Sequence, residues 1–370
     1  MIDKILLFPY YLVLKLRNRA YDKGRLKSVP APVPTICVGN ITVGGTGKTP
    51  HTEMILNMLQ ESDRWGSSQL AVLSRGYKRE SKGFQQVKEN GSATMFGDEP
   101  MQIKKNFPEV TVAVDKNRIE GCRFLTHPEE LKSSRSGRRC WEKDMPAADI
   151  IVLDDAFQYR KLKADVNIVL VDYNRPVNKD RLLPLGGLRD LAGRIHKAGI
   201  IIVTKCPLYI EDEEKEKFAA DLGIREDQKI FFTSIRYSTP EPVFPECNTR
   251  YMYSKKTVMF SGIAKDTPFA QYLSDSYRIV RKFSFGDHHK YVTKDINALA
   301  RAARKWSTAS VVTTEKDAQR LVDCRKVTPR LKERLFQISS GRSLDAWRSV
   351  SPLMNEIVSE SEPAFDLLNI

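Results

Sequence analysis

The feature that most constrains the fold is a glycine-rich segment between a predicted strand and a predicted helix. The segment reads TICVGNITVGGTGKTPHTEMI from Thr35 to Ile55. A loop in this context binds nucleotide phosphates through its backbone N–H groups and the N-terminus of the following helix. The usual first glycine is replaced by threonine, but the two central glycines keep the backbone freedom that the loop needs. The sequence therefore predicts a P-loop, whose cofactor-binding residues are Thr42, Val43, Gly44, Gly45, Thr46, Gly47, Lys48 and Thr49.

Three features of the sequence indicate that the nucleotide is ATP with Mg²⁺. Lys48 would reach the β- and γ-phosphates, and the Thr49 hydroxyl would ligate the metal ion. The run IIVLDD ends in Asp154 and Asp155, a pair that resembles a Walker B strand end and could hold Mg²⁺. Alone, this pair could equally be a solvated turn, but the P-loop upstream favours Mg²⁺ binding. The N/T-K-x-D element of GTP-binding proteins is incomplete, because Pro207 replaces its acid in VTKCPL.

Apolar runs that alternate with predicted helices indicate a parallel sheet covered on both faces. The predicted fold class is α/β: a P-loop NTPase-like α/β/α sandwich with a second, smaller α/β/α domain and an N-terminal amphipathic helix. A Pro-rich, polar stretch marks the domain junction. The predicted division is a helix at 1–27, a P-loop domain at 28–235, a linker at 236–256 and a smaller α/β domain at 257–370. Residues 127–147 are polar and are predicted mostly as an exposed insertion or loop.

The net charge of +14 over 370 residues implies attraction to an anionic partner. Charge alone does not choose among a phosphorylated substrate, an anionic membrane and nucleic acid. No nucleic-acid-binding motif accompanies the charge, so nucleic acid is not a predicted partner. The six cysteines are widely spaced and form no CxxC pair, which argues against a zinc ribbon or a disulfide framework and indicates a reducing compartment.

The N-terminal segment has an apolar run followed by basic residues. Residues 1–27 hold seven Lys or Arg and two Asp, a local charge of +5. The apolar run from Ile5 to Leu14 is too short to span a bilayer, which needs about 20 residues in a helix. Apolar and aromatic residues at helical spacing suit a helix that lies on an anionic leaflet. A terminal helix that packs on its own domain is the other interpretation, and both stay open.

Several further positions carry groups suited to phosphoryl transfer. In GDEP, Asp98 beside Glu99 could accept the proton of a substrate hydroxyl from a fixed turn. His288 in FGDHHKY could share that proton or pair with a phosphate. Arg189, after LPLGGL, suits bidentate phosphate recognition. A solvated turn, a surface histidine pair and a structural salt bridge are the competing explanations. Three further residues lie at a predicted strand end, where open α/β sheets bind ligands: Ser74, Arg75 and Tyr77.

Taken together, these motifs resemble one enzyme family over nearly the whole chain. GNITVGGTGKTP, SRGY, GDEP, LDDAFQ, LPLGGLRD, DHHKY and TTEKDA occur in the order found in the tetraacyldisaccharide 4′-kinases, the lipid A kinases of Gram-negative bacteria. The resemblance implies ATP- and Mg²⁺-dependent phosphorylation of the 4′-hydroxyl of a tetraacylated glucosamine disaccharide 1-phosphate. It also implies a peripheral location on the cytoplasmic face of the inner membrane, with the N-terminal helix on the bilayer.

Site roles follow from the resemblance position by position. Lys48 and Arg189 would act on the transferring phosphate, and Asp98 would be the general base with His288 as its partner. Thr49, Asp154 and Asp155 would form the metal site. The predicted substrate-binding residues, which lie in or beside the shared motifs, are Ser74, Arg75, Tyr77, Glu99 and Gln158. Two departures occur: Ala156 stands where glycine is expected after the acids, and Asp190 replaces a frequent glutamate. Neither removes a reactive group.

The main rival interpretation is a regulatory or chaperone-type P-loop NTPase, which acts as a switch and transfers no phosphate to a lipid. Nucleotide hydrolysis without any lipid acceptor would favour the switch. A nucleic-acid-binding protein is a second rival, and it rests only on the basic sequence pI of about 9.4.

Overall fold

A computed structural model describes residues 2–339 apart from positions 135, 208, 235–236, 264–265, 288, 323 and 325, and it describes only the backbone at 2–6 and 136. The predicted partner of the general base, His288, lies outside the described residues, and its role stays a prediction. The part of the predicted C-terminal domain beyond 339 also lies outside them.

The strands alternate with helices along most of the chain. The strands are β1 (Val29–Pro30), β2 (Thr35–Gly39), β3 (Leu70–Ser74), β4 (Gln85–Gln86), β5 (Thr111–Val114), β6 (Ile150–Asp154), β7 (Leu162–Lys163), β8 (Val166–Asp172), β9 (Ile200–Cys206), β10 (Lys229–Ser234), β11 (Glu241–Pro242), β12 (Lys256–Ser261), β13 (Arg278–Ser284), β14 (Ser310–Thr314) and β15 (Leu335–Ile338).

The α-helices are α1 (Ile2–Asp22), α2 (Lys48–Glu61), α3 (Ala93–Phe96), α4 (Asp98–Asn106), α5 (Arg118–Thr126), α6 (Pro128–Ser133), α7 (Asp212–Leu222), α8 (Thr267–Ser276), α9 (Thr293–Lys305), α10 (Glu315–Val322) and α11 (Pro329–Lys332). Short 3₁₀ helices lie at Ser136–Arg139, Val177–Lys179, Ala192–Lys197 and Thr249–Tyr253.

The described chain forms two compact units. Unit 1 consists of residues 2–90 and 103–234, and unit 2 consists of residues 91–102 and 237–339. The segment with the GDEP motif thus packs with the residues after 236, whereas the sequence predicts one continuous P-loop domain from 28 to 235. The described part of the predicted linker at 236–256 also belongs to unit 2. The predicted domain boundaries stay a prediction, and the unit names are used below.

The large sheet of unit 1 is parallel except at one edge. Among the described residues its strand order is β10-β9-β8-β2-β6-β3-β5-β4, with β4 antiparallel to β5. Every residue of β2, β3, β5 and β6 is buried, as expected for a parallel sheet with helices on both faces. The predicted parallel α/β architecture is confirmed. Because β2 and β6 are neighbours, the loop after β2 and the acids at the end of β6 emerge side by side at the carboxyl edge.

Unit 2 contains a second, smaller sheet. Its order among the described residues is β11-β15-β14-β12-β13, parallel except for β11 against β15. The strands β12, β14 and β15 are almost wholly buried, and helix α9 packs three buried side chains, Ile296, Leu299 and Ala303. The predicted elements of this part, including the strand that leads into a helix at TTEKDA, are present.

The polar stretch at 127–147 is more ordered than the sequence predicts. It begins with α6, in which Leu131 is fully buried, and Cys140 is only 5% exposed. The prediction of a mostly exposed loop is therefore wrong for its first half. One leucine among polar residues is too weak a signal for an amphipathic helix, but it suffices when α6 packs on α5.

The N-terminal helix α1 packs on unit 1 and still exposes apolar side chains. Leu14 is only 7% exposed, and the Asn18 amide donates a buried hydrogen bond of 2.8 Å to Asp190. Six large apolar or aromatic side chains on the same helix are exposed: Phe8, Tyr10, Tyr11, Leu12, Val13 and Leu16. Among the described residues, no helix has the length and apolarity needed to cross a bilayer.

Candidate active site

The glycine loop between β2 and α2 is shaped by its glycines and by an asparagine at its base, Asn40. Gly44 and Gly47 have φ of 97° and 86°, a region that strains residues with a Cβ. The Asn40 amide donates to the Thr46 hydroxyl at 2.7 Å, and the Val43 N–H donates to the Gly187 carbonyl at 2.7 Å. The loop therefore holds its curvature through its own side chains and through the segment near Gly187.

Two residues brace the loop from outside it. The Nδ1 of His51 lies 2.7 Å from the Gly47 carbonyl and donates to it, and Nε2 lies 3.1 Å from the Thr233 hydroxyl. Burial lowers the pKa of His51, so its neutral form is favoured. The Gln158 amide donates to the Asn40 carbonyl at 3.0 Å. Gln158, predicted to bind substrate, thus contacts the base of the loop.

The two acids at the end of β6 have different surroundings. Asp154 is buried and accepts a 3.0 Å hydrogen bond from the Ser74 hydroxyl at the end of β3. Asp155 has a φ of 49° and lies 3.1 Å from an Arg189 nitrogen and 3.9 Å from Lys48 Nζ. Burial alone would raise the pKa of Asp155, but the charges of Lys48 and Arg189 hold it below its usual value. Asp155 is therefore a carboxylate that fixes two cations beside the loop.

The oxygen donors at this edge fit a small hard cation. Thr49 is the second residue of α2, and Asp154 lies at the end of β6, the strand next to β2. A Cβ built on Gly44 or Gly45 would meet nothing within 4 Å, so the loop surface leaves room for a ligand at its backbone. Hydroxyl and carboxylate oxygens, with phosphate oxygens completing the shell, are the ligands that Mg²⁺ prefers.

The remaining predicted residues of unit 1 are at the same edge but more exposed. Arg75 and Tyr77 follow β3, and Tyr77 is 56% exposed. Among the hydrogen bonds that the structure describes, none joins Arg75 or Tyr77 to Asp154 or Asp155. Their predicted role in substrate binding stays a prediction.

In unit 2, the acids of the GDEP motif begin helix α4. The prediction that they lie in a turn is therefore wrong. Gly97, with φ of 99°, separates α3 from α4, and Asp98 is the first residue of α4. Acids followed by proline suit the first turn of a helix. The Asp98 carboxylate accepts from Arg320 at 2.6 and 3.1 Å, and Glu99 pairs with Lys316 at 2.5 Å.

The site residues of unit 1 and unit 2 can now be compared with those of known proteins, and the comparison identifies the family. The sequence profile of the tetraacyldisaccharide-1-P 4′-kinases (LpxK) matches residues 4–340. The chain belongs to this family. Relatives named tetraacyldisaccharide 4′-kinase include that of Bacteroides fragilis, 38% identical over 333 residues, which are 87% of this chain and 83% of the relative. That of Phocaeicola vulgatus is 36% identical over 329 residues, 87% of this chain and 85% of the relative.

A solved LpxK structure has the same fold. The crystal structure of LpxK from Aquifex aeolicus in complex with ATP matches with a TM-score of 0.68 at 26% sequence identity. The match covers 96% of this chain and 99% of that chain. The predicted P-loop fold class is thereby confirmed, and the switch-type NTPase interpretation is not favoured.

Ala156 and Asp190, the two residues that differ from the family pattern, are both buried in this member of the LpxK family. Asp190 is 2% exposed, accepts from the amide of Asn18 on α1, and lies 3.6 Å from Arg194. Ala156 is 6% exposed, directly after the two acids. Asp190 therefore anchors α1 and is turned toward that helix.

A buried pair, Asp115 and Arg118, lies beside the acids of this site and is not predicted from the sequence. Asp115, at the end of β5, is 3% exposed, and Arg118, at the start of α5, is 2% exposed. Arg118 donates to the Asp115 backbone carbonyl at 2.8 Å, and its pKa is lowered by burial against the opposing charges of Asp154 and Asp155. The sequence gives one indication of a buried acid here, which is that Asp115 directly follows an apolar run.

Asp115 should make the stability of the protein depend on pH. Burial raises its pKa to about 6. The folded state therefore holds this proton more tightly than the unfolded state, and the free energy of unfolding should fall as pH rises from about 4 to about 6. The contribution is at most about 3 kcal/mol. Asp115→Asn should remove this component in urea unfolding measured across that range.

The exposed variant Asp227→Asn is the matched control and should retain the wild-type pH dependence. Identical pH dependence of unfolding for wild type and Asp115→Asn would show that Asp115 does not carry the effect.

Proposed function

We propose that the protein is an ATP-dependent kinase of lipid A biosynthesis that phosphorylates the 4′-hydroxyl of a tetraacylated glucosamine disaccharide 1-phosphate. The observation that carries the proposal is the family match over residues 4–340 of a chain with a formed P-loop. The P-loop NTPase switch lacks a comparable observation. The acceptor is an anionic lipid, which accounts for the net charge of +14 without a nucleic-acid partner.

In the proposed reaction, unit 1 binds ATP and stabilises the transferring charge. The backbone N–H groups from residues 42–49 hold the phosphates at the N-terminus of α2. Thr49, Asp154 and Asp155 would hold Mg²⁺, directly or through water, and the ion would offset negative charge on the β- and γ-phosphates. Lys48 and Arg189 then stabilise charge on the transferring group, and Asp155 keeps both cations in place through its ion pairs.

Unit 2 supplies the proposed general base. As the acceptor oxygen bonds to the γ-phosphorus, the bond from that phosphorus to the bridging oxygen of ATP breaks and ADP leaves. The O–H bond of the acceptor breaks in the same step, and its proton moves to the Asp98 carboxylate. His288 is proposed to share or receive that proton. Five further residues are proposed to contact the acceptor or to support the groups that do. They are Glu99, next to the base, and Ser74, Arg75, Tyr77 and Gln158 of unit 1. The Ser74 hydroxyl, which donates to Asp154, belongs to the supporting set.

We also propose that α1 places the enzyme on the cytoplasmic face of the inner membrane. Leu14 and Asn18 attach the helix to unit 1, while Phe8, Leu12 and Leu16 lie four residues apart on one exposed face. The basic residues of the same segment suit an anionic leaflet. A helix that is docked on one side and apolar on the other can hold the kinase on a lipid surface.

The triple variant Phe8→Ser, Leu12→Gln, Leu16→Gln should weaken binding to anionic vesicles at least ~10-fold, because burying each such side chain is worth about 1.5–3 kcal/mol. These substitutions spare Leu14 and Asn18, whereas deletion of 1–27 would also remove contacts that stabilise unit 1. Vesicle co-sedimentation measures the effect, and ATP affinity should be unchanged.

Tyr209→Ser, which removes an aromatic side chain that is 93% exposed outside α1, is the control and should bind vesicles as the wild type does. Equal partitioning of the triple variant and the wild type would rule out α1 as the anchor.

The proposed activity is tested by incubating the purified protein with γ-labelled ATP and the tetraacylated disaccharide 1-phosphate in detergent. A kinase transfers label to the lipid and hydrolyses little ATP without it. Release of labelled inorganic phosphate at the same rate with and without lipid would instead support the switch-type NTPase.

A further inference from the structure

The peptide that joins Gly47 to Lys48 lies where the glycine loop becomes helix α2. Gly47 is the N-cap residue, with φ of 86° and ψ of 27°, and among the described residues no side chain caps this end of the helix. The first backbone N–H groups of a helix have no partner within it and suit an anion. In the proposed reaction that anion is a phosphate group of ATP. The orientation of this peptide therefore decides where the Lys48 N–H points.

The Gly47 carbonyl accepts two hydrogen bonds from His51. The His51 backbone N–H donates to it at 3.2 Å, and the ring Nδ1 donates to it at 2.7 Å. A Cβ built on Gly47 would lie 3.4 Å from Nδ1, so the ring also packs directly against this residue. A trans peptide is planar, and its C=O and N–H point in opposite directions. Because His51 fixes the carbonyl, it also fixes the direction of the Lys48 N–H in the same peptide.

The His51 ring is oriented in turn by Thr233. Its Nε2 lies 3.1 Å from the Thr233 hydroxyl, which lies 3.3 Å from the Val203 carbonyl. Since Nδ1 faces a carbonyl and carries the hydrogen, Nε2 of the neutral ring accepts from the hydroxyl. Thr233 is on β10, which β8 and β9 separate from β2. The ring therefore links the start of α2 to a distant strand of the same sheet through both of its nitrogens.

The loop needs such contacts because its glycines do not hold one conformation by themselves. Glycine has the widest choice of backbone angles and loses the most conformational freedom when it is ordered. A Cβ built on Gly44 or Gly45 would meet nothing within 4 Å, so close packing does not fix that part of the loop. The His51 ring supplies a fixed contact at Gly47, the last glycine before the helix.

We propose that His51 and Thr233 are positioning residues for ATP binding, which hold the Gly47–Lys48 peptide so that the Lys48 N–H donates to a phosphate oxygen. This proposal deepens the proposed function and rests on it. His51 acts through the peptide and does not itself touch the phosphate. Its role is therefore separate from that of the Lys48 ammonium group, which stays in place when the ring is removed.

The first measurement is the affinity for ATP with Mg²⁺, by calorimetry and without lipid. His51→Leu removes both ring bonds, and its dissociation constant should rise ~10-fold, about the effect of losing one hydrogen bond to a charged group. His51→Asn places an amide nitrogen near the position of Nδ1 and keeps the bond to Gly47, whereas Thr233→Val removes only the hydroxyl. Each of these two partial variants should weaken ATP binding by only ~3-fold.

Thr126 and His127 provide matched controls, because the Thr126 hydroxyl lies 2.9 Å from His127 Nδ1 at the end of α5. His127→Leu and Thr126→Val should bind ATP as the wild type does, even where they lower the temperature of unfolding. In the kinase assay, KM for ATP should rise in His51→Leu, whereas KM for the lipid acceptor should stay within about twofold of the wild type. A general loss of stability would not separate the two KM values.

The second measurement observes the Lys48 N–H itself. Gly47-Lys48 is the only Gly-Lys pair in the sequence, so protein made with ¹³C-carbonyl glycine and ¹⁵N-lysine gives one selected amide signal in NMR. In the wild type, saturating ATP with Mg²⁺ should move the proton signal downfield, because the N–H then donates to an anionic oxygen. The downfield shift should be largely kept in His51→Asn and should be much smaller in His51→Leu.

Wild-type ATP affinity in His51→Leu, or the same ATP-induced shift of the Lys48 amide in that variant and the wild type, would overturn the proposal. If His51→Leu does not fold, Thr233→Val and His51→Asn decide, and wild-type affinity in both would overturn it. A wild type that binds ATP but transfers no label to the lipid would refute the proposed function alone, because the binding measurements need no transfer. A wild type that binds no ATP would overturn both.

Discussion

Replacing Lys48 with alanine is expected to lower kcat for phosphate transfer by about 10³-fold or more. Lys48 is the first residue of α2, directly after the glycine loop, and its ammonium group lies 3.9 Å from the Asp155 carboxylate. In the proposed reaction this cation stabilises the charge of the transferring phosphoryl group, and removal of one preorganised donor typically costs about 10²–10³ in rate. Because the Lys48→Ala variant loses a full charge that is also proposed to contact ATP, its effect should reach or exceed the upper end of that range.

Steady-state kinetics with labelled ATP and the lipid acceptor measure the effect. Lys82→Ala, at an exposed lysine away from the loop, is the matched control and should keep wild-type kcat. Because Arg189 still pairs with Asp155, Lys48→Ala should unfold at a temperature close to that of the wild type. Turnover by Lys48→Ala near the wild-type rate would mean that the loop is not the phosphate site.

The second large effect is expected at the proposed general base. Asp98→Asn and His288→Ala should each lower kcat by about 10²–10⁴-fold, the usual range for general base catalysis, and leave ATP affinity nearly intact. A sugar hydroxyl is a poor nucleophile at neutral pH, so the loss should appear in kcat. If the two residues act as a unit, the double variant should lose much less than the product of the two single losses.

Asp98→Asn preserves the shape of the side chain, and Arg320 retains its bonds to Asp317 and to the Gly262 carbonyl. Asp275→Asn, on the exposed side of α8, controls for the loss of a negative charge in unit 2. Unchanged kcat in Asp98→Asn would remove Asp98 as the base, and Glu99 would then be examined. Fully multiplicative losses in the double variant would show that Asp98 and His288 act independently.

The parts of the site that the sequence predicts well are those made by neighbouring residues. The loop of residues 42–49 follows an apolar β-branched run and precedes helical spacing, and this local order requires a turn that glycine permits. Asp154 and Asp155 directly follow another apolar run, so their place at the carboxyl edge of a parallel sheet follows from the strand prediction. In both cases the chemistry and the element that carries it lie within a few residues.

The parts that the sequence does not reveal depend on long-range contacts. His51 supports the loop through Thr233, 182 residues away, and Arg320 reaches Asp98 across 222 residues. The segment 91–102 packs in unit 2, although nothing in its composition separates it from its neighbours. Leu131 is buried because a neighbouring helix covers it, which a polar local sequence does not indicate. Packing partners of this kind are set by tertiary structure and not by spacing.

The most direct test of the central claim is the position of the transferred phosphate. The wild-type protein is incubated in anionic vesicles with γ-labelled ATP and either the tetraacylated disaccharide 1-phosphate or its 4′-deoxy analogue, and the lipid products are separated and analysed by NMR. We expect one labelled phosphate on the 4′-oxygen of the natural acceptor and no label on the 4′-deoxy analogue. Label at another position, equal labelling of the analogue, or release of all label as inorganic phosphate would refute the proposed function.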